Sequence, residues 1–441
     1  MTKTKDDILR MIDEAGVRYI RLCFTDILGQ IKGMSITRSE IEQVLEEGQG
    51  FDGSSVEGFA RIEESDLMAI PDPLTFRVIP WEIAGEKVAM MFCDIQNPDG
   101  TPYDGDPRWA LKKNLQKLSD KGWTFYVGPE LEYFYFRNDE EPGIIDKAGY
   151  FDYGTVDLGT QVRKQTVAAL EKFDIAVECS HHEVAPSQHE IDLKYQEALV
   201  MGDFAQIYKF IVKEIAMENG LYATFMPKPL FGENGSGMHC HVSLFEKDKN
   251  LFFDSKGDYN LSDIGRKFIA GILTHVKEFT LITNQWVNSY KRLVPGYEAP
   301  VYVSWGRRNR SSMVRVPMYR VGKERATRIE LRSPDPAANP YLVFASMLAA
   351  GLKGIENNYD LSKPIEENIF GMTQSQKDSL NIDTLPNSLE NAINEFENSE
   401  LMKEALGEHI HSKLIENKRM EWDEFRIHVS QFENNKYLPM L

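Results

Sequence analysis

Two glutamates set two positions apart, Glu130 and Glu132 in GPELEYFYF (128–136), raise the first chemical question of this chain. Read as a strand, the segment turns Glu130, Glu132, Phe134 and Phe136 to one face and Leu131, Tyr133 and Tyr135 to the other, so both faces are largely apolar. Carboxylates about 6.5 to 7 Å apart on such a strand repel by about 2.4 kcal/mol at an effective dielectric near 20, before desolvation is counted. Either a cation lies between them or one of them keeps a proton.

Three further stretches share this character. HHEVAPSQHEID (181–192) carries Glu183 and Glu190 on either side of a proline-containing turn that lets both return to one point. GMHCHVSLF (237–245) alternates, with His239, His241 and Ser243 facing one way. TRIELR (327–332) sets Arg328, Glu330 and Arg332 on one strand face, backed by Ile329 and Leu331. Singly, each reads as an ordinary half-exposed strand; together, in apolar strands, they read as the lining of one cavity. Five carboxylates and one imidazole in one cleft suit two hard divalent ions. Because the donors are mostly oxygen, Mg²⁺ or Mn²⁺ is expected, whereas zinc would want more histidine or cysteine.

Between Lys291 and Arg332 stand nine arginines and two lysines against three acids, Glu298, Glu324 and Glu330, inside a chain of formal charge -18. Arginine's planar fork binds phosphate and carboxylate in pairs of hydrogen bonds, so part of this segment is expected to hold an anionic substrate and the rest to serve an interface or a solvated face. The loop FGENGSGMH (231–239) has three glycines but neither P-loop nor Rossmann spacing, and its glycines are expected to admit close backbone approach. These residues alone point to a metal-dependent phosphoryl-transfer enzyme acting on a small anion.

Positioning these side chains needs an ordinary globular frame. The 441 residues are 42% hydrophobic and 27% charged, which allows two domains. No apolar run reaches a membrane span and the opening helix is charged, so a cytoplasmic location is expected, while the acidity disfavours nucleic acid or an anionic membrane as partner. Cys23, Cys93, Cys179 and Cys240 lie far apart and read as reduced, mostly structural thiols. A boundary is expected in QNPDGTPYDGDP, where Asp106 and Pro107 form a cap and first turn, giving domains 1–104 and 105–441. Beyond it the pattern predicts α+β with a largely antiparallel sheet. The clearest helix carries Phe204, Ile207, Tyr208, Ile211, Val212 and Ile215 as a core stripe and ends at Gly220. His409 and His411 are expected on a solvated helix face.

FTDILG (24–29), FDGSSVEGF (51–59), GPELEYF, HHEVAPSQHEID, KPLFGENGSGMHCHVSLF, NSYKRLVPGYEAPVYVSWGRRNRSS and RIELRSPDPAANPYL follow one another over nearly the whole chain. Together they closely resemble glutamine synthetase of the prokaryotic type I class. The resemblance implies ATP-dependent amidation of L-glutamate by ammonia through a γ-glutamyl phosphate. It also implies a small N-terminal β-grasp domain, a large catalytic domain with a curved antiparallel sheet and helices (the glutamine synthetase/guanidino kinase-like fold), and a homododecamer of two hexameric rings with active sites between subunits. By the same resemblance one metal site falls on Glu132, Glu183 and Glu190 and the other on Glu130, His239 and Glu330. Arg292 and Arg332 hold substrate carboxylates, Arg310 and Arg315 meet phosphates, Asn234 and Gly235 contact glutamate, and His241 and Ser243 line the nucleotide side. Asp52, supplied by a neighbouring subunit, attracts ammonium and takes its proton, and Glu298 belongs to a flap that shields the acyl phosphate. From spacing alone, Asp52 reads as a turn residue bonded to its own backbone.

Two departures matter. Phe370 stands where the adenylylated subgroup carries a modifiable tyrosine, and that subgroup's extra internal segment is missing, so the match is closer to the non-adenylylated alpha-type subgroup of Gram-positive bacteria and many archaea. There Arg61 resembles a residue linked to feedback by glutamine, and small effectors such as 2-oxoglutarate or regulatory proteins are expected to act through arginines like Arg21 or Arg77. Three alternatives stand beside this reading: a γ-glutamyl amine or polyamine ligase, a catalytically silent relative, and a metallohydrolase, the last leaving the arginine-rich segment unexplained.

Overall fold

A computed structural model describes residues 3–56, 58, 66–297, 299–307, 309–320 and 322–441. Glu298 and Arg61, two of the residues singled out above, lie outside the described residues, as does Arg308.

Two sheets divide the strands. The first contains β1 (Tyr19–Thr25), β2 (Ile31–Thr37), β3 (Gln49–Asp52), β4 (Asp66–Pro71), β5 (Arg77–Val78) and β6 (Val88–Gln96), in the order β2-β1-β6-β4-β3 with β5 also on β6. Its β1–β6 pair is parallel and the others are antiparallel, the mixed arrangement of a β-grasp domain. Helices α1 (Lys5–Ala15) and α2 (Ile41–Glu47) pack on it through a small core that includes Ile8, Ile12, Ile20 and Met91.

After α3 (Pro107–Ser119) comes the larger, curved sheet. Its strands are β7 (Trp123–Phe136), β8 (Val177–His182), β9 (Gln188–Leu193), β10 (Gln196–Glu197), β11 (Tyr222–Thr224), β12 (Met238–Glu246), β13 (Lys249–Asn250), β14 (Tyr302–Gly306), β15 (Ser312–Arg315), β16 (Ile329–Leu331) and β17 (Asp383–Thr384). The path runs β17-β14-β15-β16-β12-β7-β9-β8, antiparallel throughout except for the β14–β15 pair. Helices α4 (Thr160–Lys172), α5 (Ala198–Glu218), α6 (Asp263–Thr283), α7 (Ser289–Arg292) and α8 (Pro340–Glu356) pack against the sheet or connect its strands. Beyond α9 (Gln374–Ser379), the chain ends in α10 (Leu389–Glu397), α11 (Glu400–Leu406), α12 (Glu408–Ile427) and α13 (Gln431–Tyr437). No described helix is long and apolar enough to cross a membrane.

Local signals account for these elements. Asp106 caps α3 by accepting from the Arg108 backbone N–H, with Pro107 in the first turn as its fixed φ favours. The stripe of α5 is buried from Phe204 to Ile215, and the chain leaves the helix through Gly220 at φ 68°. Strand β7 buries Leu131, Tyr133 and Tyr135 in the main core with α5, while Phe134 and Phe136 pack with Ala185 of the β8–β9 turn and Leu230 of the β11–β12 loop.

Charge also links the two sheets. Arg108, on α3, is buried between Asp72 at 2.7 Å and Asp94 at 2.6 Å from the first sheet and Asp203 of α5 at 3.0 Å. Asp203 additionally accepts from the Tyr341 hydroxyl at 2.7 Å. Neighbouring Asp106 is pushed up to about 7, chiefly by burial and then by Asp94.

His411 is not on a solvated face: it is buried, stacks on Phe396 with centroids 4.5 Å apart, and its Nε2 pairs with the Phe396 carbonyl at 3.0 Å. His409 is half-buried, with Nε2 2.7 Å from the Gly58 carbonyl. Helix α12 packs against α10 and α11, so a helix of charged composition still has an inner side. Cys23, Cys93 and Cys240 are buried free thiols; Cys179 is exposed.

Candidate active site

One face of the large sheet gathers the carboxylates. In the ladder, Glu130 of β7 lies opposite Asp192 of β9 on one side and His239 of β12 on the other, while Glu132 lies opposite Glu190. Farther along, His241 pairs in register with Glu330 of β16, and Glu330 with Arg315 of β15. Directly opposed residues of antiparallel strands point to the same face, so alternation on β7, β9, β12 and β16 brings the polar positions together.

The β12–β16 half is internally compensated. His239 Nδ1 lies 3.2 Å from Glu130 and 3.8 Å from Glu330, and His241 Nε2 lies 2.7 Å from Glu130. Glu330 is buried and pairs with the guanidinium of Arg315 and with Arg332 at 3.2 Å. Burial opposes ionisation of both carboxyls, yet His241 and His239 hold Glu130 well below the usual range, and those histidines with Arg332 and Arg315 hold Glu330 low.

The β7–β9 half is not. Burial, then Glu183, pushes Glu132 well above the ordinary carboxylate range; burial, then Glu132, does the same to Glu190. Glu132 accepts from the Gly237 backbone N–H at 3.0 Å and the Gln188 amide at 2.9 Å. Glu183 and Glu190 converge instead with His181, whose ring nitrogens lie 3.4 and 3.6 Å from them. Of the sets among the described residues that bring metal-binding atoms within 4.8 Å of one another, two draw on these glutamates, Glu130–His239–Glu330 and His181–Glu183–Glu190, with Glu132 adjoining the second. The donor chemistry fits a hard divalent ion in each, since oxygen predominates and the second set lacks the positive charge that burial of its carboxylates requires.

A narrow pocket between Glu132, Glu183, Asn234, Gly235, His239 and Arg292 opens beside these groups. It adjoins a cavity of about 550 Å³ lined by Asn234, Tyr297, Asn309, Arg310 and Ser311. Buried Arg292 donates to the Ser333 carbonyl at 2.7 Å, and a Cβ on Gly237 would come within 2.7 Å of its Nη2. That glycine admits arginine to the carboxylates, and Gly235 likewise leaves no room for a Cβ, which would meet the Pro227 carbonyl at 2.3 Å.

Among the other expected residues, Arg310 is exposed, its carbonyl accepting from Arg332, and Ser243 is buried farther along β12. Asp52 stands in the N-terminal sheet, exposed, accepting from the Ser54 N–H at 2.8 Å in the manner of a turn residue. His181 and Gln188 were not singled out from sequence. Each was signalled: His181 and Gln188 are two positions from Glu183 and Glu190 respectively, the spacing that shares a strand face.

The chain's sequence matches two family models. Residues 104–437 match "Glutamine synthetase, catalytic domain" and residues 16–98 match "Glutamine synthetase, beta-Grasp domain". A glutamine synthetase of Mycolicibacterium smegmatis is 49% identical over 446 residues, covering 100% of both chains. One from Staphylococcus epidermidis is 49% identical over 440 residues, covering 99% of this chain and 98% of the relative. A solved structure described as a GmaS/ADP complex superposes with TM-score 0.90 at 31% identity, covering 98% of this chain and 99% of that one.

Proposed function

Since the chain belongs to the glutamine synthetase family, we propose that it makes L-glutamine from L-glutamate and ammonia at the expense of ATP. The observation that carries this reading is the pair of carboxylate sets on one sheet face, oppositely tuned, beside buried arginines.

In this reading Glu132, Glu183 and Glu190 hold one divalent ion and Glu130, His239 and Glu330 the other, Mg²⁺ or Mn²⁺ in each. When bound, the ions supply positive charge that offsets the carboxylates and the phosphates of ATP. The chain's own residues do the rest. Arg292 and Arg332 orient the glutamate carboxylates, with Asn234 and Gly235 against its backbone; His241 and Ser243 line the nucleotide side; Arg310 and Arg315 stabilise charge on the transferring phosphoryl group. A γ-carboxylate oxygen bonds to the γ-phosphorus as the bond to ADP breaks, giving γ-glutamyl phosphate and ADP. Ammonia then bonds to the acyl carbon, phosphate departs with the C–O bonding pair, and the surplus ammonium proton passes to Asp52 of a neighbouring subunit. Glu298 keeps water from the acyl phosphate.

We further infer a homododecamer with active sites between subunits, to which the exposed position of Asp52 lends support, and a cytoplasmic location. Phe370 favours the non-adenylylated alpha-type subgroup of the prokaryotic type I class, and we assign Arg61 a regulatory role there, with small effectors or regulatory proteins acting at subunit contacts. The division into domains 1–104 and 105–441 is supported by the separate sheets and the start of α3 at Pro107.

Turnover of glutamate and ATP with ammonia, against putrescine as acceptor, tests the function. Glutamine and ADP formed in equal amounts, with putrescine a poor substrate, is the expected result. A preference for putrescine, or turnover without ATP, overturns it.

A further inference from the structure

The donor face does not stop at Glu190. On β8, at the edge of the sheet, Cys179 lies opposite Asp192 and His181 opposite Glu190. The register slips between Val177 and Cys179, and an inserted residue of this kind re-aims the side chains that follow it. Beyond the slip the pairing is regular, and Cys179 shares a face with His181, two residues on.

Three details give this corner the chemistry of a ligand site. Cys179 Sγ lies 2.7 Å from Asp192 Oδ2, and the other oxygen, Oδ1, is buried with no hydrogen-bond partner among the described residues. His181 places Nδ1 3.2 Å from the His182 carbonyl, while its Nε2 is 3.6 Å from Glu190, beyond hydrogen-bonding range. A ring that donates through Nδ1 to a backbone carbonyl presents Nε2 as a lone pair, the division of roles found in metal-bound histidines. Sulfur, imidazole and carboxylate atoms here come within 4.8 Å of one another, and Cys179 is the exposed cysteine among the four.

We propose that Cys179, His181 and Asp192 form a third metal site, for a soft divalent cation of the zinc class, at the edge of the active-site face. The donor set discriminates by kind. Oxygen-rich neighbours suit Mg²⁺ or Mn²⁺, whereas sulfur with imidazole selects zinc and its relatives. Tetrahedral zinc separates its donors by about 3.3 to 3.8 Å, so the Cys179–Asp192 contact opens slightly while His181 closes in, leaving a fourth position for water. Because His181 also faces Glu183 and Glu190, occupancy draws it away from them and adds positive charge beside the proposed hard-ion site. Zinc should therefore inhibit.

The test uses the intact protein saturated with Mg²⁺, which keeps hard ions on the glutamates, and Co²⁺ as a coloured stand-in for zinc. Titration should produce thiolate-to-cobalt charge-transfer absorption that saturates at one ion per chain and is bleached by an equivalent of Zn²⁺. Cys179→Ser should abolish the band, retain Mg²⁺-dependent turnover and lose zinc inhibition. Asp192→Asn should keep the band but weaken Co²⁺ binding about 10-fold or more. An absent band in the unaltered protein, or an undiminished one in Cys179→Ser, overturns the site. The absorption reads the sulfur directly, so it stands or falls independently of the proposed turnover.

Discussion

Replacing Glu132 with glutamine should stabilise the metal-free protein and at the same time blunt its response to divalent ions. Glu132 is buried and lies directly across the ladder from Glu190. With charges about 5 Å apart, an effective dielectric near 20 gives a repulsion of about 3 kcal/mol. Glutamine keeps a carbonyl oxygen to accept from Gly237 and Gln188, so the substitution removes charge with little loss of hydrogen bonding. The folded-state pKa values of Glu132 and Glu190 lie above their unfolded values, so the folded protein binds more protons than the unfolded chain. Stability therefore falls as pH rises from the ordinary carboxylate range through the raised folded values, and the benefit of Glu132→Gln grows in the same direction. At about 2.1 cal/mol/K per residue, the 441-residue chain unfolds with roughly 0.9 kcal/mol/K, so 3 kcal/mol corresponds to about 3 °C. Melting curves in chelator at about pH 5.5, 7 and 8.5 should show a small difference at the acid end and the full one at the alkaline end. Adding Mn²⁺ should then raise the melting temperature of the unaltered protein much more than that of the variant. A variant that melts lower at alkaline pH in chelator, or gains as much from Mn²⁺, would refute the electrostatic account.

Other perturbations separate the remaining parts. Glu330→Gln deprives Arg315 and Arg332 of their buried carboxylate and one metal set of a ligand; ATP-dependent glutamine formation should fall at least about 100-fold, while native mass stays unchanged. Asp52→Ala should cut ammonia-dependent amidation about 100-fold, with formation of the phosphorylated intermediate, followed by isotope exchange, much less affected; equal loss of both would remove its proton-accepting role. Arg108→Met leaves Asp72, Asp94 and Asp203 without their shared cation and should cost about 3 to 5 kcal/mol, read as a lower melting temperature and faster proteolysis between the two sheets.

What could be read from the sequence depended on how local its cause was. The alternation of β7 was legible because two glutamates interrupt faces that are otherwise apolar, and the start of α3 because Asp106 and Pro107 are capping residues wherever they occur. The convergence of Glu130, His239 and Glu330 followed from three alternating strands sharing one sheet. His181 escaped notice because its two-residue spacing from Glu183 is a weak signal alone, and its place opposite Glu190 comes from the pairing of β8 with β9. Composition misled at His411, whose burial comes from α10 packing across α12, a contact no local pattern encodes. The pairing of Arg315 and Arg332 with Glu330 was equally invisible, since an arginine-rich run announces an anion without saying whether the anion is a substrate or the chain's own glutamate.

That last pairing separates the two carboxylate sets. Around Glu330 the guanidinium groups of Arg315 and Arg332 already supply positive charge and Glu130 is paired with His239 and His241, so an arriving cation must displace existing partners and gains only the difference. Around Glu132 and Glu190 burial and mutual repulsion favour protonation, so the cation there competes with protons and relieves an uncompensated charge. In the first set the carboxylates are held ionised and offer few protons to displace; in the second, competition eases as pH rises, because fewer carboxyl protons remain to be displaced. The β7–β9 set should thus bind its ion more tightly at alkaline pH, releasing protons as it does so. The β12–β16 set should bind weakly until the anionic substrates, phosphate at Arg315 and the glutamate carboxylate at Arg332, engage these arginines and free Glu330 to act as a ligand. Order of filling in this site is then a property of which carboxylates the fold has already neutralised.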